Sequence, residues 1–328
     1  TFDSINPSDT SDCVGSFSTA TAGDVASAIS AARGAFPEWS HSGLEHRKSI
    51  LDAIGAELIT RSDEIGRLIS REEGKTVPEG VGEVARAGQF FQYFGAEVLR
   101  QMGEIAASVR PGVSIEVTRE PLGVIGVITP WNFPLSIFTG QIAAALVTGN
   151  TVLAKPAEQA NLVAFKATQL LHQAGIPLGV LQLLLGDGET VGARLSSDSR
   201  INGICFTGST EVAQLINKAS INAEPDLRLI AETGGINAMI VDSTALPEQT
   251  VRDIITSAFY SAGQRCSALR IVYLQEDIAD RFVEMLLGAM NSLTVGDPWE
   301  WETDIGPAID QDAQNMINKY VDAKNVIH

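Results

Sequence analysis

Residues 123–155, GVIGVITPWNFPLSIFTGQIAAALVTGNTVLAK, decide the fold class of this chain. Two short runs rich in β-branched residues, GVIGVI and NTVLAK, flank an alanine-rich segment, and no charged residue occurs within residues 121–154. An uncharged segment of this length is also typical of a membrane span, but Pro130, Asn132 and Pro134 interrupt it. The stretch therefore predicts a buried strand, a loop, a helix and a second buried strand.

The same alternation begins near Ser114 and continues to about residue 235. Apolar runs such as VLQLLLG, INGICFTG and LRLIAETGG are separated by helical patterns such as EQANLVAFKATQLLHQAG and STEVAQLINKAS. Strands separated by helices of this length predict parallel pairing with right-handed crossovers, which is a doubly wound α/β sheet. Ligands of such sheets bind beyond the carboxyl ends of the strands.

Two other regions flank this sheet in the sequence. The first hundred or so residues read as a short irregular lead and amphipathic cover helices, of which the first begins at a capping Thr21. After Gly235 the strands NAMIVD and RIVYLQ alternate with two further helical patterns. We predict a Rossmann-like domain in residues 1–230, with a helical N-terminal segment, and an incomplete second α/β domain in residues 231–328.

Composition and charge favour a small-molecule partner. The formal net charge of the 328 residues is -17, which argues against binding to nucleic acid or to an anionic membrane. The chain has three widely spaced cysteines and four histidines without helical ligand spacing, so we expect neither disulfides nor a metal site. Reduced cysteines fit a cytoplasmic location. The first residues, TFDSINPSDTSD, also lack the basic start and apolar run of a signal peptide.

A single cysteine lies in SAFYSAGQRCSALR, residues 257–270. A lone cysteine such as Cys266 is most often a small buried apolar residue. Its place after a Gly-Gln break, between a helix and a strand, would also allow a loop to present it to a cleft. Glu232 ends an apolar strand in LIAETGGIN and is either an exposed strand-end acid or a general base. The residues alone leave both alternatives open.

Polar side chains also follow the predicted strands. Asn132, in TPWNFP, is either the residue of a local Asx turn or an N–H donor for a developing oxyanion. Lys155 and Glu158 end the strand of VLAKPAEQ and suit a ribose or a phosphate. FTGST runs from a strand into a helix, where Gly208 and Ser209 offer N–H groups to an anion. The glycines of GDGETVG approach the G-x-G-x-x-G dinucleotide pattern without matching it.

Five of these motifs together resemble the aldehyde dehydrogenase superfamily over essentially the whole chain. T-P-W-N-F-P, K-P-A-E, F-T-G-S-T, E-T-G-G and G-Q-x-C each occur once and in the order of that family, and Glu232 and Cys266 are 34 residues apart, the interval that the family keeps. The resemblance implies that Cys266 is the nucleophile and Glu232 the base for the deacylating water. Asn132 and the backbone N–H of Cys266 would hold the oxyanion.

The resemblance also implies NAD as the cofactor. Lys155 and Glu158 would hold the adenosine ribose, and the Glu158 carboxylate would favour NAD over NADP by repelling a 2'-phosphate. Ser209, with Gly208 beside it, would contact the pyrophosphate, and Trp131 would pack near the cofactor. The other cofactor-binding positions that it implies are Thr129, Pro130, Gly188, Gly192, Phe206, Thr233 and Gly234. The substrate, a small-molecule aldehyde, would contact Arg265, Ser267 and Phe133.

The two halves of the chain resemble different members of the superfamily. The second half, with SAGQRCSALR, is similar to the glutamate semialdehyde dehydrogenase module of proline utilisation A, an enzyme of proline catabolism, in which a basic residue at the position of Arg265 binds the substrate carboxylate. The first part is more similar to α-ketoglutaric semialdehyde dehydrogenases. Both oxidise a semialdehyde that carries a carboxylate, and we give more weight to the half that holds Cys266.

The alternatives follow from the same resemblance. They are an α-ketoglutaric or succinic semialdehyde dehydrogenase and, in another class, an inactive NAD-binding fragment. A thiol acyltransferase or protease is disfavoured because no histidine lies in a candidate motif. The chain ends 62 residues after Cys266, whereas members of the family continue much further, so it reads as a fragment. Members form homo-oligomers, but the strand they use for this would be absent here.

Overall fold

The computed structural model describes residues 1–101 and 103–321 and shows an alternation of strands and helices. The strands are β1 (Phe2–Ile5), β2 (Cys13–Phe17), β3 (Glu104–Ala107), β4 (Ser114–Val117), β5 (Val124–Ile128), β6 (Thr151–Lys155), β7 (Leu181–Leu183), β8 (Gly203–Gly208), β9 (Arg228–Thr233), β10 (Asn237–Val241) and β11 (Leu269–Leu274). The helices are α1 (Ala22–Ser40), α2 (Leu44–Thr60), α3 (Ser62–Glu73), α4 (Val77–Val98), α5 (Ser136–Val147), α6 (Asn161–Gln173), α7 (Ala193–Ser197), α8 (Thr210–Ala223), α9 (Pro247–Phe259), α10 (Glu276–Asn291) and α11 (Gln311–Asn318).

Within this described part of the chain, strands β5 to β9 form one parallel sheet in the order β7-β6-β5-β8-β9. The predicted doubly wound α/β sheet is thereby confirmed. Every residue of β5 and β6 is buried, which is why these strands read as continuous apolar runs. The strand order reverses between β5 and β8, and a crevice opens at such a switch point at the carboxyl ends of the strands.

Helices cover both faces of the sheet. On one face, Ile125 and Val127 of β5 pack with α2, α4, α5 and α6 around the buried ring of Phe91. On the other face, Val124 and Ile128 pack with α1, α7 and α8. Thr21 caps α1 as predicted, because its hydroxyl accepts the N–H of Asp24 and the Asp24 carboxylate accepts the N–H of Thr21. The N-terminal helices therefore serve as cover helices.

The first 117 residues also contain strands that the sequence patterns did not predict. The expected irregular lead is wrong, because β1 and β2 pair as an antiparallel hairpin. The strand predicted at β4 exists, but it pairs antiparallel with β3 on the surface instead of joining the sheet. Ile105 in this second hairpin is 84% exposed. The sequence pattern thus predicted the position of β4 correctly but predicted the wrong partner strand for it.

A second small unit follows the sheet. Strands β10 and β11 pair in parallel, and α9 and α10 pack on them around Val241, Val251 and Phe282. The predicted domain boundary at residues 230/231 falls inside β9, which continues to Thr233, and the division into domains stays a prediction. Residues 322–328 of the predicted second domain lie outside the described residues. Among the helices that the structure describes, none is long and apolar enough to cross a membrane.

Candidate active site

A cleft of about 650 Å³ lies at the carboxyl ends of β5, β8 and β9. We call it the strand-end cleft, and its walls are Pro130, Trp131, Asn132, Thr207, Gly208, Ser209, Thr233, Gly234, Ala262, Gly263, Gln264, Arg265, Cys266, Arg270, Ala313, Met316, Ile317 and Tyr320. Segments that are far apart in the sequence meet here because the strand order reverses between β5 and β8. The structure thus brings together nine of the residues that the sequence motifs singled out.

Cys266 lies on the loop between α9 and β11, and its side chain is exposed. The loop begins with a 3-10 turn in which Ser261 and Ala262 adopt left-handed backbone angles, with φ of 53° and 52°. Such angles are strained in residues other than glycine and persist only when neighbours enforce them. The Glu79 carboxylate of α4 does so, because it accepts the backbone N–H of Ser261 at 2.7 Å. The loop before the cysteine is therefore held in one shape.

Gln264 fixes the same loop from the other side. Its amide nitrogen donates to the carbonyl of Pro307 at 3.2 Å, and its amide oxygen accepts the N–H of Ile309 at 3.0 Å. Beyond the cysteine, the Asn237 amide donates to the carbonyls of Cys266 and Ala268, at 2.7 and 3.0 Å. The backbone on both sides of Cys266 is therefore anchored to other segments, while its thiol stays accessible.

The Asn132 side chain reaches the cysteine loop directly. Its amide nitrogen donates to the backbone carbonyl of Gln264 at 2.8 Å, across 132 positions of the sequence. The alternative of a local Asx turn is wrong, because such a turn needs the amide oxygen as an acceptor and this oxygen accepts no hydrogen bond within the described chain. The amide nitrogen carries two hydrogens and this bond uses one of them, so the second can serve an oxyanion beside Cys266. The amide oxygen is buried and has no partner in the described chain.

A buried ion cluster lies behind Asn132, and sequence reasoning missed it. The Lys75 ammonium donates to the backbone carbonyl of Asn132 at 2.9 Å and to the Glu83 carboxylate at 2.7 Å, and Glu73 lies 3.8 Å away. It also lies 4.4 Å from the ring centre of Phe133. Burial alone would lower the pKa of Lys75, but Glu73 and Glu83 together raise it above its ordinary value. Lys75 is therefore charged.

A second cleft, of about 630 Å³, lies beside α4. We call it the α4 cleft, and its walls are Lys75, Thr76, Pro78, Glu79, Gly82, Glu83, Arg86, Phe133, Ser136, Tyr260, Ser261, Arg265, Trp301, Thr303 and Asp304. Two of the predicted substrate-binding residues, Phe133 and Arg265, line it, and Arg265 borders both clefts. Arg86 faces it from α4, and nothing in the sequence pattern distinguished this residue from other exposed arginines.

Arg265 bridges the two clefts through its guanidinium group. One terminal nitrogen donates to the carbonyls of Thr256 and Ser257 near the end of α9, at 2.8 and 2.7 Å. The Nε atom is buried and has no partner in the described chain. The other terminal nitrogen can serve an anion, because each terminal nitrogen of a guanidinium group carries two N–H donors.

The predicted base and one predicted substrate residue lie outside both linings. Glu232 is exposed at the end of β9, paired in register with Thr207 and directly before Thr233, which both line the strand-end cleft. Ser267 is exposed next to Cys266. The structure thus places Glu232 at the edge of the cleft rather than in its wall.

The remaining predicted cofactor positions cluster near the ends of β5 and β6. The Lys155 ammonium donates to the carbonyl of Pro156 at 2.9 Å and to the Glu158 carboxylate at 3.1 Å. The backbone N–H of Thr129 donates to the carbonyl of Lys155 at 3.1 Å. A Cβ atom on Gly192 would lie 3.9 Å from the Lys155 side chain. Gly188, at the other end of the same π-helical turn, is exposed.

Ser209 and Phe206 shape the start of α8. The Ser209 hydroxyl accepts the N–H of Val212 and caps the helix, and Ser209 itself lines the strand-end cleft. The ring of the buried Phe206 supports the turn, since a Cβ atom on Gly208 would lie 2.5 Å from it. A side chain larger than glycine at position 208 would therefore have to displace this ring.

The sequence model of the aldehyde dehydrogenase family matches residues 1–326. The chain belongs to this family. The predicted resemblance is therefore confirmed at the level of the family, and with it the assignment to a family of oxidoreductases.

Three curated aldehyde dehydrogenase relatives cover nearly all of the chain. It is 46% identical over 323 residues to bifunctional protein PutA of Klebsiella aerogenes, of which it spans 24%. It is 38% identical to 1-pyrroline-5-carboxylate dehydrogenase of Geobacillus thermodenitrificans and spans 63% of that protein. It is 36% identical to α-ketoglutaric semialdehyde dehydrogenase of Bacillus subtilis and spans 64% of it. In each comparison 97% of this chain is covered, and the chain is shorter than two thirds of the relative.

Solved aldehyde dehydrogenase structures share the fold. A mutant of proline utilization A from Bradyrhizobium japonicum matches 93% of this chain and 31% of its own, with a TM-score of 0.88 and 45% identity. A point mutant of betaine aldehyde dehydrogenase from Staphylococcus aureus, in complex with NAD+, matches 97% of this chain and 64% of its own, with a TM-score of 0.94 and 31% identity. The Rossmann-like arrangement of the sheet is thus that of the family.

Proposed function

We propose that this aldehyde dehydrogenase chain carries the nucleophile and the cofactor site of an enzyme that oxidises a carboxylate-bearing semialdehyde to the acid through a thioester on Cys266. One observation supports this above the others. The Asn132 amide bonds to the backbone of Gln264, two residues before an exposed cysteine thiol, at the junction of two clefts. The proposed nucleophile and the proposed oxyanion donor thus meet at one loop. The two clefts that border this loop provide separate spaces for the cofactor and the aldehyde.

The steps follow from these positions. The Cys266 thiolate forms a C–S bond to the carbonyl carbon, and the C=O electron pair moves to the oxygen. The Asn132 amide and the backbone N–H of Cys266 stabilise that oxyanion, and one such donor contributes about 3 kcal/mol to lowering the barrier. Loss of hydride from the same carbon leaves a thioester. Water then attacks the thioester while Glu232 takes a proton from that water. The C–S bond breaks, which releases the acid and the thiolate.

The strand-end cleft fits NAD in the chemistry of its donors. The N-terminus of α8, with Gly208 and Ser209, suits a pyrophosphate. Outside the lining of this cleft, near the end of β6, the Lys155 ammonium uses two of its three N–H bonds within the protein, and its partner Glu158 is partly exposed and suits a ribose diol. NAD, when bound, accepts the hydride. The partly exposed carboxylate of Glu158 disfavours a 2'-phosphate and so favours NAD over NADP.

The nucleophile is tested by comparing two exposed cysteines. Cys266→Ala should reduce NADH formation from glutamate 5-semialdehyde below detection, whereas Cys13→Ser, on the hairpin strand β2, should leave it unchanged. Both variants should still be stabilised by NAD in a thermal unfolding assay, because a ligand of the folded state raises the unfolding temperature.

The outcomes separate the alternatives. NAD stabilisation with no turnover by the wild-type chain would indicate an inactive NAD-binding fragment. Turnover that persists in Cys266→Ala would refute the thioester route.

The α4 cleft supports recognition of a carboxylate. Arg265 and Arg86 both border it, while the nearby Glu79 and Glu83 already accept hydrogen bonds from Ser261, Leu135 and Ser136. Glutamate 5-semialdehyde is the substrate that we propose first, because the PutA relative has the highest identity among the three. Arg86 favours a second candidate, α-ketoglutaric semialdehyde, since a second cation suits a substrate without an ammonium group.

Arg86→Gln tests which semialdehyde the cleft prefers. For α-ketoglutaric semialdehyde we expect a KM about tenfold higher, which is the loss of roughly one charge-assisted hydrogen bond. For glutamate semialdehyde the KM should change less, because removal of the cation also relieves repulsion of the ammonium group. Arg100→Gln, which removes an exposed arginine just after α4, is the matched control. Equal changes in KM for both substrates would show that Arg86 does not determine which semialdehyde is preferred.

A further inference from the structure

The Lys75–Glu83 ion pair is almost completely buried. The two side chains are 1% and 2% exposed, and the ammonium and carboxylate are 2.7 Å apart. Burying such a pair brings little net stability, because the loss of hydration offsets the attraction between the charges. A buried pair is therefore better explained by what it holds in place.

The pair holds the backbone of one segment at two points. Lys75 donates to the carbonyl of Asn132 at 2.9 Å. The other carboxylate oxygen of Glu83 accepts the N–H groups of Leu135 and Ser136, each at 2.9 Å, at the start of α5. Pro134 lies between these points and has no N–H of its own. The turn that carries the Asn132 side chain is thus clamped before and after the proline.

We propose that Lys75 and Glu83 are positioning residues that orient the Asn132 amide toward the oxyanion at Cys266. This inference rests on the proposed function. The clamp fixes the peptide plane after Asn132 and hence the direction of its Cα–Cβ bond, so the amide can reach Gln264 with one hydrogen and the oxyanion with the other. A misplacement of about 1 Å in such a group reduces the rate about 100-fold.

The chain contains a matched control for a buried carboxylate that caps a helix. Glu72 accepts the N–H groups of Leu162 and Val163 at the start of α6, at 2.7 and 2.8 Å, as Glu83 does at the start of α5. It also accepts the hydroxyl of Ser4 at 3.0 Å. Glu72 and Glu83 thus both cap the start of a helix with a buried carboxylate. Of the two, only Glu83 belongs to the clamp on the Asn132 segment.

The test compares Glu83→Gln with Glu72→Gln in the full chain. Glu83→Gln should lower kcat about 10- to 100-fold with little change in the KM for NAD, because the oxyanion exists only in the reaction. Glu72→Gln should lower the unfolding temperature by a similar amount and change kcat less than about twofold. The double variant Lys75→Met/Glu83→Gln, which removes both charges together, guards against misfolding from an unpaired charge and should show the same loss of kcat.

A double-mutant cycle with Asn132→Ala separates positioning from general damage. If Glu83 acts through Asn132, Glu83→Gln should lower kcat by less than about threefold further once the amide is gone. Full additivity, or equal kcat effects of Glu83→Gln and Glu72→Gln, would overturn the proposal.

A second cycle does not depend on turnover and so separates this inference from the proposed function. Asn132→Ala should destabilise the folded chain less in the Glu83→Gln background than in the wild type, because the Asn132–Gln264 hydrogen bond is already weakened there. Equal destabilisation in both backgrounds would overturn the clamp even if the wild-type chain had no activity.

Discussion

At the scale of the residue, the ion cluster is balanced by a proton. Glu73 is buried, and burial is the main reason why its pKa is raised to about 8. Lys75 is attracted to Glu73 and Glu83, and two carboxylates beside one ammonium would leave an excess negative charge in the interior. With a pKa of about 8, Glu73 keeps its proton at neutral pH, which removes one negative charge from beside Lys75.

This proton makes stability depend on pH. Glu73 has an ordinary pKa of 4.5 and a folded pKa of about 8, so between these values the folded chain keeps a proton that the unfolded chain has lost. Its contribution to the unfolding free energy is therefore fully present below about pH 4.5 and is lost as pH rises toward 8. The side chain of Glu73→Gln stays neutral at every pH. The unfolding free energy of this variant relative to the wild type should therefore increase by at least about 1 kcal/mol from pH 5.5 to pH 8.5.

Urea unfolding at the two pH values measures this difference. Glu97→Gln, on the exposed side of α4 beside Arg100, serves as the control and should show no such trend. A constant difference between Glu73→Gln and the wild type would show that Glu73 is ionised across the range.

The sequence singled out Asn132 and Cys266, because polar residues after apolar strands and a family motif both mark them. It did not single out Glu73, Lys75 or Glu83. These residues belong to the part of the chain that was predicted only as amphipathic cover helices. Lys75 and Glu83 are buried against Asn132, Leu135 and Ser136, more than 50 positions further along the chain, and no periodicity reports such contacts.

At the scale of the element, the α3–α4 hairpin that carries the cluster depends on glycines. A Cβ atom on Gly66 would lie 2.5 Å from the backbone nitrogen of Val81, and one on Gly80 would lie 2.3 Å from the carbonyl of Gly66. The two helices therefore touch backbone to backbone at this crossing. Because Lys75 lies in the turn between them, the crossing also sets how close it comes to Asn132.

Gly66→Ala tests this close approach. The added methyl group forces the helices apart, and overpacking of this kind costs about 1–3 kcal/mol of unfolding free energy. Gly82→Ala in α4, where nothing lies within 4 Å of the new methyl group, should be neutral or stabilising by up to about 1 kcal/mol. Urea unfolding curves of the two variants should move in opposite directions. Similar midpoints for both would show that the hairpin adapts to the larger residue.

Strands were predictable from sequence where burial left a clear pattern. All residues of β5 and β6 are buried, and their apolar runs gave the right element and the right partner. The hairpin strands β1 and β3 escaped prediction because FDSI and EIAA are four residues long and mix polar or small residues with few β-branched ones. Their pairing comes from the partner strand and not from a pattern of their own.

At the scale of the whole molecule, the two clefts differ in how far the sequence anticipated them. The strand-end cleft follows from the reversal of strand order, and a βα alternation is enough to predict it. The α4 cleft does not follow from topology, because Arg86 of α4, Phe133, Arg265 and Asp304 meet there from four separate segments. Tertiary packing alone determines which residues face that space. Family resemblance predicted Arg265 as a substrate-binding residue, and no sequence pattern predicted Arg86.

The side chain of Gln264 also has a consequence for biosynthesis. It bonds the carbonyl of Pro307 and the N–H of Ile309, and Ile309 is 45 positions further along the chain. A ribosome adds residues in order, and the N-terminal part of a chain folds first. The sheet can therefore form while the loop of Cys266 still lacks its last anchors. During translation, the anchors of the Cys266 loop at Pro307 and Ile309 are therefore completed only after the residues of the sheet have been made.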